Sequence, residues 1–272
     1  MNNPMIFFDV DGTIFRYEDG IRPLIRQGIA AVRQRGCRVV INTGRARGML
    51  PESLNERDFD GFITGSGSRV EYEGRVLFEQ EIQEEIILRL LKEKARYAFT
   101  LETEDFAYMT GKMAELQSHI HASADSQLLK FRGNKYVVGN TIGRYCPDIP
   151  VGKICFMAET RQEADQITAL LGKDFFIVTE HQKGILYGEA VPQNCGKGNA
   201  VLRLCKALSL PPENTIAFGD GQNDLDMLKA AGTGVAMGNG AENVKAEAAF
   251  VCPSIGEDGV YHGLVRLGLL PG

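Results

Sequence analysis

Several absences narrow the function of this sequence before any motif is read. No two cysteines stand at Cys-x-x-Cys spacing. The six, Cys37, Cys146, Cys155, Cys195, Cys205 and Cys252, are scattered, which gives a zinc site little support. Four lie in or beside apolar runs, where buried thiols are common, and a reduced, cytoplasmic compartment is the simplest reading. No apolar run approaches the roughly 20 residues that span a bilayer. The N-terminus lacks the basic region and apolar stretch of an export signal. Basic residues are not in excess: 30 stand against 35 acidic, a formal charge of -5, which argues against a general nucleic-acid binder. Internal repeats and low-complexity linkers are also missing. The four histidines, His119, His121, His181 and His262, form no metal-binding pattern, and His119-x-His121 reads as a surface pair.

What is present suits a folded chain. With 44% apolar residues over 272 positions, a substantial core is expected, in one large domain or two smaller ones. The stretch that organises the rest is Phe7-Phe8-Asp9-Val10-Asp11-Gly12-Thr13. Met5 to Phe8 is a short apolar run that predicts a buried strand. Asp9 and Asp11 follow two positions apart, so at extended spacing they share one side of the strand end. Gly12 allows a sharp turn, and Thr13 can hydrogen-bond that turn. Carboxylates at the end of a buried strand call for a bound cation or acid/base chemistry. A solvated acidic turn is the plainer alternative.

Ile21, Leu24, Ile25, Gly28, Ile29 and Val32 keep helical spacing, and Gly36 ends that helix. Arg38 to Asn42 then predicts a β-branched strand, followed by Thr43-Gly44-Arg45. Strand, helix and strand at this spacing form a βαβ unit with parallel strands. Ligands of such sheets bind beyond the carboxyl ends of the strands, where Asp9, Asp11 and Thr43 fall. Thr43 could equally cap the next helix. Residues 60–64 predict another strand with a loop, Gly65-Ser66-Gly67-Ser68, at the same edge. Arg69 to Gln80 alternates around Glu73-Gly74 as a hairpin would.

Near Gln80 the pattern changes. Ile82, Ile86, Ile87, Leu90 and Leu91 mark an amphipathic helix. Short β-like pieces follow over 98–110, then weak helical signal over 111–120, and 121–150 are the least readable stretch. Strands are expected over 153–158, 175–178 and 185–190, with a helix carried by Ala164, Ile167, Thr168 and Leu171. Residues 80–187 therefore read as an α+β insertion into a discontinuous α/β domain of residues 1–79 and 188–272. After Pro192 the α/β pattern resumes. Gly196-Lys197-Gly198 opens a helix whose first-turn lysine opposes the macrodipole unless it meets an anion; an ordinary solvated lysine is the alternative. Residues 215–218 predict a strand leading into Gly219-Asp220-Gly221-Gln222-Asn223-Asp224. A helix cap explains one of those polar groups but not all three. Residues 234–237 predict a further strand, Gly238-Asn239 a turn, and Glu257-Asp258-Gly259-Val260 the approach to a last helix.

Taken in order, Asp-x-Asp-Gly-Thr, Thr-Gly-Arg, Gly-Lys-Gly and Gly-Asp-x-x-Asn-Asp resemble the motifs of the haloacid dehalogenase superfamily. The insertion between the second and third motifs resembles the type II cap of its Cof-like (type IIB) phosphatases. Val235 to Asn239 and Asp258-Gly259-Val260 are similar to that subfamily's C-terminal region. The motifs cover both ends of the chain, while the cap matches only in length, position and rough pattern. Where similar proteins often carry Asn-Gly-Ala, this chain has Ser66-Gly67-Ser68, which leaves a substrate contact by that loop unsupported.

The resemblance implies a Rossmann-like core with a mostly parallel sheet, and a phosphomonoester hydrolase that uses Mg2+. Asp9 would attack phosphorus and form an aspartyl-phosphate. Asp11 would protonate the leaving oxygen and then activate water. Mg2+ would take Asp9, the Asp11 carbonyl, Asp220 and Asp224, with Asn223 in support. Thr43, Gly44, Lys197 and Asn223 would bind the phosphate. The cap would close over the site and select the leaving group, with Tyr108, Lys183 and Glu189 as candidate contacts that could each be structural instead. The implied substrate is a small phosphorylated metabolite (a sugar phosphate, a nucleotide or a phosphorylated cofactor), with no nucleic acid, membrane or protein partner. A phosphotransferase or mutase on the same core, or a non-catalytic phospholigand-binding protein, are the alternatives.

Overall fold

The computed structural model describes residues 3–54, 56–121, 141–182 and 184–271, without the side chains of 119–121 and 182. They form two compact units. The first takes Met1–Gly44, Pro51–Phe78 and Gly196–Gly272; the second takes Arg45–Leu50 and Glu79–Cys195.

The first unit opens with strand β1 (Met5–Phe8), helix α1 (Pro23–Gln34) and strands β2 (Arg38–Asn42), β3 (Gly61–Thr64), β4 (Arg69–Tyr72) and β5 (Arg75–Glu79). All four residues of β1 are buried, as a strand covered on both faces requires. Pro23 stands in the first turn of α1, where its missing N–H costs nothing. The expected hairpin is present. Glu73 and Gly74 both take positive φ, 48° and 73°, the pattern of a two-residue type I′ turn.

The second unit follows with α2 (Glu84–Lys92), β6 (Ala98–Glu102), β7 (Ala107–Met109), α3 (Gly111–His121), β8 (Lys153–Ala158), α4 (Arg161–Leu171), β9 (Phe175–Gln182) and β10 (Ile185–Pro192). Its sheet runs β7-β6-β8-β10-β9, and these neighbours pair antiparallel. Along β8 the side chains alternate as the pleat demands. Ile154 and Phe156 pack with Ile87, Leu90 and Ile167 of α2 and α4. Cys155 and Met157 pack with Met113 and Leu116 of α3.

Two boundaries differ from the sequence reading. Residue 187 falls inside β10, which pairs with β9 as far as Pro192, so the second unit continues to Cys195. Arg45–Leu50 also groups with it. Gly48 N donates to Glu104 O at 2.8 Å, and Ala46 and Met49 join the apolar cluster of Ala98, Met109 and Met157.

The chain completes the first unit with α5 (Lys197–Ala207), β11 (Thr215–Gly219), α6 (Leu225–Ala230), β12 (Thr233–Ala236), α7 (Glu242–Glu247), β13 (Phe250–Val251) and α8 (Gly259–Arg266). Its sheet order is β13-β12-β11-β1-β2-β3-β4-β5. The pairs from β13 through β3 are parallel, and β4 returns antiparallel. The fold is thus α/β with a mainly parallel sheet. β1 sits at the centre, with β2 on one side and β11 on the other. A crevice opens beyond the carboxyl end of such a strand, because the chain leaves its two neighbours in opposite directions. Below that edge the sheet is packed solid. Met5, Phe7, Val40 and Ile63 meet Ala200, Val201 and Leu204 of α5 and Met227 and Leu228 of α6. Phe8 stacks on Phe218 with ring centres 5.3 Å apart. Among the described residues no helix is long and apolar enough to cross a membrane, and no disulfide joins any of the six cysteines.

Candidate active site

Register alone brings the polar strand ends together. Phe8 aligns with Ile41 of β2 and with Phe218 of β11, so Asp9 leaves the sheet level with Asn42 and Gly219, one residue before Thr43 and Asp220. Asp9 is held there by its own N–H, which donates to Phe218 O at 3.0 Å. Gly12, at φ +81°, turns the chain over Asp220. A Cβ at this position would stand 2.3 Å from Asp220 Oδ2, so no side chain fits. Asn239, beyond β12, secures the same turn, its Nδ2 donating to Gly12 O at 2.8 Å.

Lys197 is the centre of the electrostatics. Its Nζ lies 2.6 Å from Asp9 Oδ1 and 2.5 Å from Asp224 Oδ1, and the ammonium is buried with both carboxylates. The out-of-place lysine of the sequence thus meets two anions. Burial alone would lower its pKa, but Asp224 and Asp9 outweigh that and hold the proton above the ordinary lysine range. Asp224 is itself fixed by its other oxygen, which accepts from Asp220 N at 3.0 Å and Gly221 N at 2.9 Å.

One carboxylate oxygen from each of Asp9, Asp220 and Asp224 lies within 4.8 Å of the others. Such crowding shows in the proton affinities. The Asp9 carboxyl is pushed up to about 7, first by burial and then by the charge of Asp224, with Lys197 opposing. Asp220 is pushed well above the carboxylate range by burial and by Asp9, against a hydrogen bond from Thr13 Oγ1 at 3.0 Å. Three carboxyl groups face one ammonium, so their full ionisation would leave an excess negative charge that a cation offsets. An all-oxygen donor set suits a hard divalent ion such as Mg2+.

The other sequence candidates are placed as follows. Asp11 is half-buried and its carboxylate is not part of the convergent group; a role through its carbonyl, the one expected, is compatible with that. Thr43 and Gly44 are buried at the end of β2, with Thr43 N donating to Ile63 O at 2.9 Å. Asn223 is half-buried, its Oδ1 folded over Gly221. The Ser66-Gly67-Ser68 loop has a structural use, since Ser66 O accepts from Gly196 N at 2.9 Å beside the lysine.

In the second unit, Tyr108 packs edge-on against Tyr145 at 5.3 Å. Glu189 accepts from Tyr187 OH at 3.0 Å and lies 3.7 Å from the Lys153 ammonium. Both therefore have structural work of their own. Lys183, and the side chains of the His119-x-His121 pair, lie outside the described residues. Sequence reading missed two supporting residues. It assigned Thr13 to its own turn, whereas the hydroxyl reaches Asp220 across 207 positions. Asn239 reads as a turn residue within a stretch similar to the subfamily's C-terminal region, and nothing local signals its partner 227 positions away.

The chain is similar to known proteins over nearly its whole length. The sequence model of a family described as haloacid dehalogenase-like hydrolase matches residues 6–264. YkrA of Bacillus subtilis (strain 168) is 29% identical over 280 residues, covering 99% of this chain and 100% of the relative. An HMP-PP phosphatase of Klebsiella pneumoniae (strain 342) is 28% identical over 246 residues, 88% of this chain and 86% of that protein. A solved haloacid dehalogenase-like hydrolase from B. subtilis superposes with a TM-score of 0.80 at 25% identity, covering 98% of this chain and 100% of that one.

Proposed function

This chain belongs to the haloacid dehalogenase-like hydrolases and is an enzyme of their phosphatase class, and from that premise we propose that it hydrolyses a small phosphomonoester with Mg2+ through an aspartyl-phosphate on Asp9. The observation that carries this reading is the buried Asp9–Lys197–Asp224 arrangement, with Asp220 alongside, at the carboxyl end of the central strand.

In this reading an Asp9 carboxylate oxygen bonds to phosphorus while the ester P–O bond breaks. The departing oxygen takes the Asp11 proton. Asp11, now a carboxylate, accepts a proton from water as that water's oxygen bonds to phosphorus. The acyl-phosphate P–O bond then breaks, which releases phosphate and restores both aspartates. Lys197 and Thr43 hold the phosphoryl oxygens, and Lys197 also keeps Asp9 oriented. The carboxylates of Asp9, Asp220 and Asp224 and the Asp11 carbonyl would hold Mg2+, with Asn223 in support. When bound, that ion offsets their charge and stabilises charge on the phosphoryl group.

A screen of phosphorylated metabolites should find hydrolysis that EDTA abolishes and magnesium restores. Full activity in metal-free buffer would remove the metal from the proposal. A relative named for HMP-PP supports a small phosphorylated substrate.

The second unit sets which ester is accepted. Asp9, Asp11, Thr43, Lys197, Asp220 and Asp224 all belong to the first. Substitutions in the second unit should reorder preferences among natural substrates and change hydrolysis of nitrophenyl phosphate much less. If they stop the small ester as fully as loss of Asp9 does in folded protein, this division of labour fails.

A further inference from the structure

One peptide group in the first unit is held by side chains on both edges. It joins Lys197 to Gly198, the first two residues of α5. Its carbonyl oxygen accepts from Asn42 Nδ2 at 3.1 Å. Its N–H donates to Asp226 Oδ2 at 2.8 Å. Asn42 is the last residue of β2, next to Thr43. Asp226 lies in α6, two positions after Asp224.

The N–H of Gly198 belongs to a helix's first turn, where backbone donors have no intrahelical partner. A cap normally comes from the residue just before the helix. Gly196 stands there with no side chain to offer, and Asp226 supplies the acceptor from 28 positions away. Its carboxylate also favours the positive end of the helix, which Lys197 opposes. The other Asp226 oxygen accepts from Met227 N at 2.9 Å, so the carboxylate has little freedom to turn. The contact is close: a Cβ on Gly198 would lie 2.4 Å from Asp226 O.

Asn42 supplies the second clue. It is completely buried, and its Oδ1 has no hydrogen-bond partner among the described residues. An orphaned buried acceptor costs stability. A hydrophobic residue would avoid that cost but could not donate to Lys197 O.

We propose that Asn42 and Asp226 are positioning residues for Lys197. They fix the peptide from which its side chain starts, so the long, flexible stem delivers its ammonium between Asp9 and Asp224. This rests on the proposed role of Lys197 in holding the phosphoryl group and Asp9. A lysine stem has many rotamers, and pinning the backbone at its root reduces the positions that the ammonium can sample.

The test compares Asp226→Ala, which removes the acceptor, with Asp226→Asn, which retains one. Each is made in the full chain and in a Lys197→Met background. With nitrophenyl phosphate and magnesium, Asp226→Ala should lower kcat by about tenfold, the scale of one charge-assisted hydrogen bond. Asp226→Asn should recover most of that loss. In the Lys197→Met background the Asp226→Ala change should cost nothing further, because residues that act through one group are not additive. Hydrogen exchange at the Gly198 amide should speed up in Asp226→Ala and stay slow in Asp226→Asn. The 15N resonance of the Lys197 ammonium should shift in Asp226→Ala alone. Asn42→Ala repeats the comparison at the opposite edge if Asp226→Ala does not fold. Wild-type kcat in Asp226→Ala, an equal loss with and without Lys197, or an unmoved ammonium resonance would overturn the proposal. The exchange and resonance readouts need no turnover. They therefore decide the clamp even if the chain hydrolyses no ester, an outcome that would refute the functional reading instead.

Discussion

Replacing Asp9 with Asn should lower hydrolysis by about 10^4-fold or more, on the scale of removing a covalent nucleophile, and leave a more stable protein in metal-free buffer. Asn keeps the shape of Asp9 and an oxygen for Lys197, but it has no carboxylate to attack phosphorus. The stability gain follows from the proton. In the folded chain Asp9 keeps its proton up to about 7, against an ordinary 3.8. Between those values the folded state binds more protons than the unfolded state, so stability falls as pH rises through that window. The penalty is absent below it and complete above it. Asn does not titrate. Denaturant unfolding in EDTA should therefore show a wild-type decline from pH 4 to pH 8 that is shallower in Asp9→Asn, where Asp220 still titrates, with a difference of up to about 4 kcal/mol at pH 8. Retention of more than about a hundredth of the wild-type rate would replace covalent catalysis with general acid/base chemistry.

Lys197→Met has the opposite effect on stability. The ammonium is buried between two buried carboxylates, at 2.6 and 2.5 Å. Its removal leaves Asp9 and Asp224 facing each other without a counter-charge. Breaking a buried pair in this way costs about 3–5 kcal/mol, and the loss should be largest in EDTA at neutral pH and smaller at pH 4, where Asp9 is protonated. Hydrolysis should fall by about 10^2 to 10^3-fold, the usual cost of one preorganised electrostatic partner. Paired measurements of unfolding and of kcat separate the two effects. A variant as stable as wild type in EDTA would mean that the carboxylates do not depend on the lysine.

The contrast between these two residues explains what could be read in the sequence. Asp9, Asp220 and Asp224 were legible because each follows a short apolar strand, and strand ends of a parallel sheet converge. β1, β2 and β8 have the limits that their apolar runs predict. Apart from the Gly-Lys-Gly resemblance, Lys197 shows as a charge of the wrong sign at a helix start, and the structure supplies its anions. Asn42 and Thr13 were illegible as site residues, because their partners are 155 and 207 positions away and no local pattern encodes such a contact. α6 and α7, six residues each, are too short to display a helical stripe. The boundary at 187 was misplaced because β9 runs on through Glu180, His181 and Gln182. Those polar residues hide the length of the hairpin that carries β10 to Pro192.

The most direct test of the proposed chemistry is to catch the phosphoryl group on the enzyme. Asp11→Asn should still allow Asp9 to attack nitrophenyl phosphate, whose leaving group needs little protonation, while water activation is lost. Mixed with that ester and magnesium and then quenched in acid, this variant should release a burst of nitrophenolate that matches the enzyme concentration. Peptide mass mapping should find one phosphoryl group on Asp9. A burst with no labelled peptide, or a phosphoryl group on any other residue, would contradict the aspartyl-phosphate at Asp9.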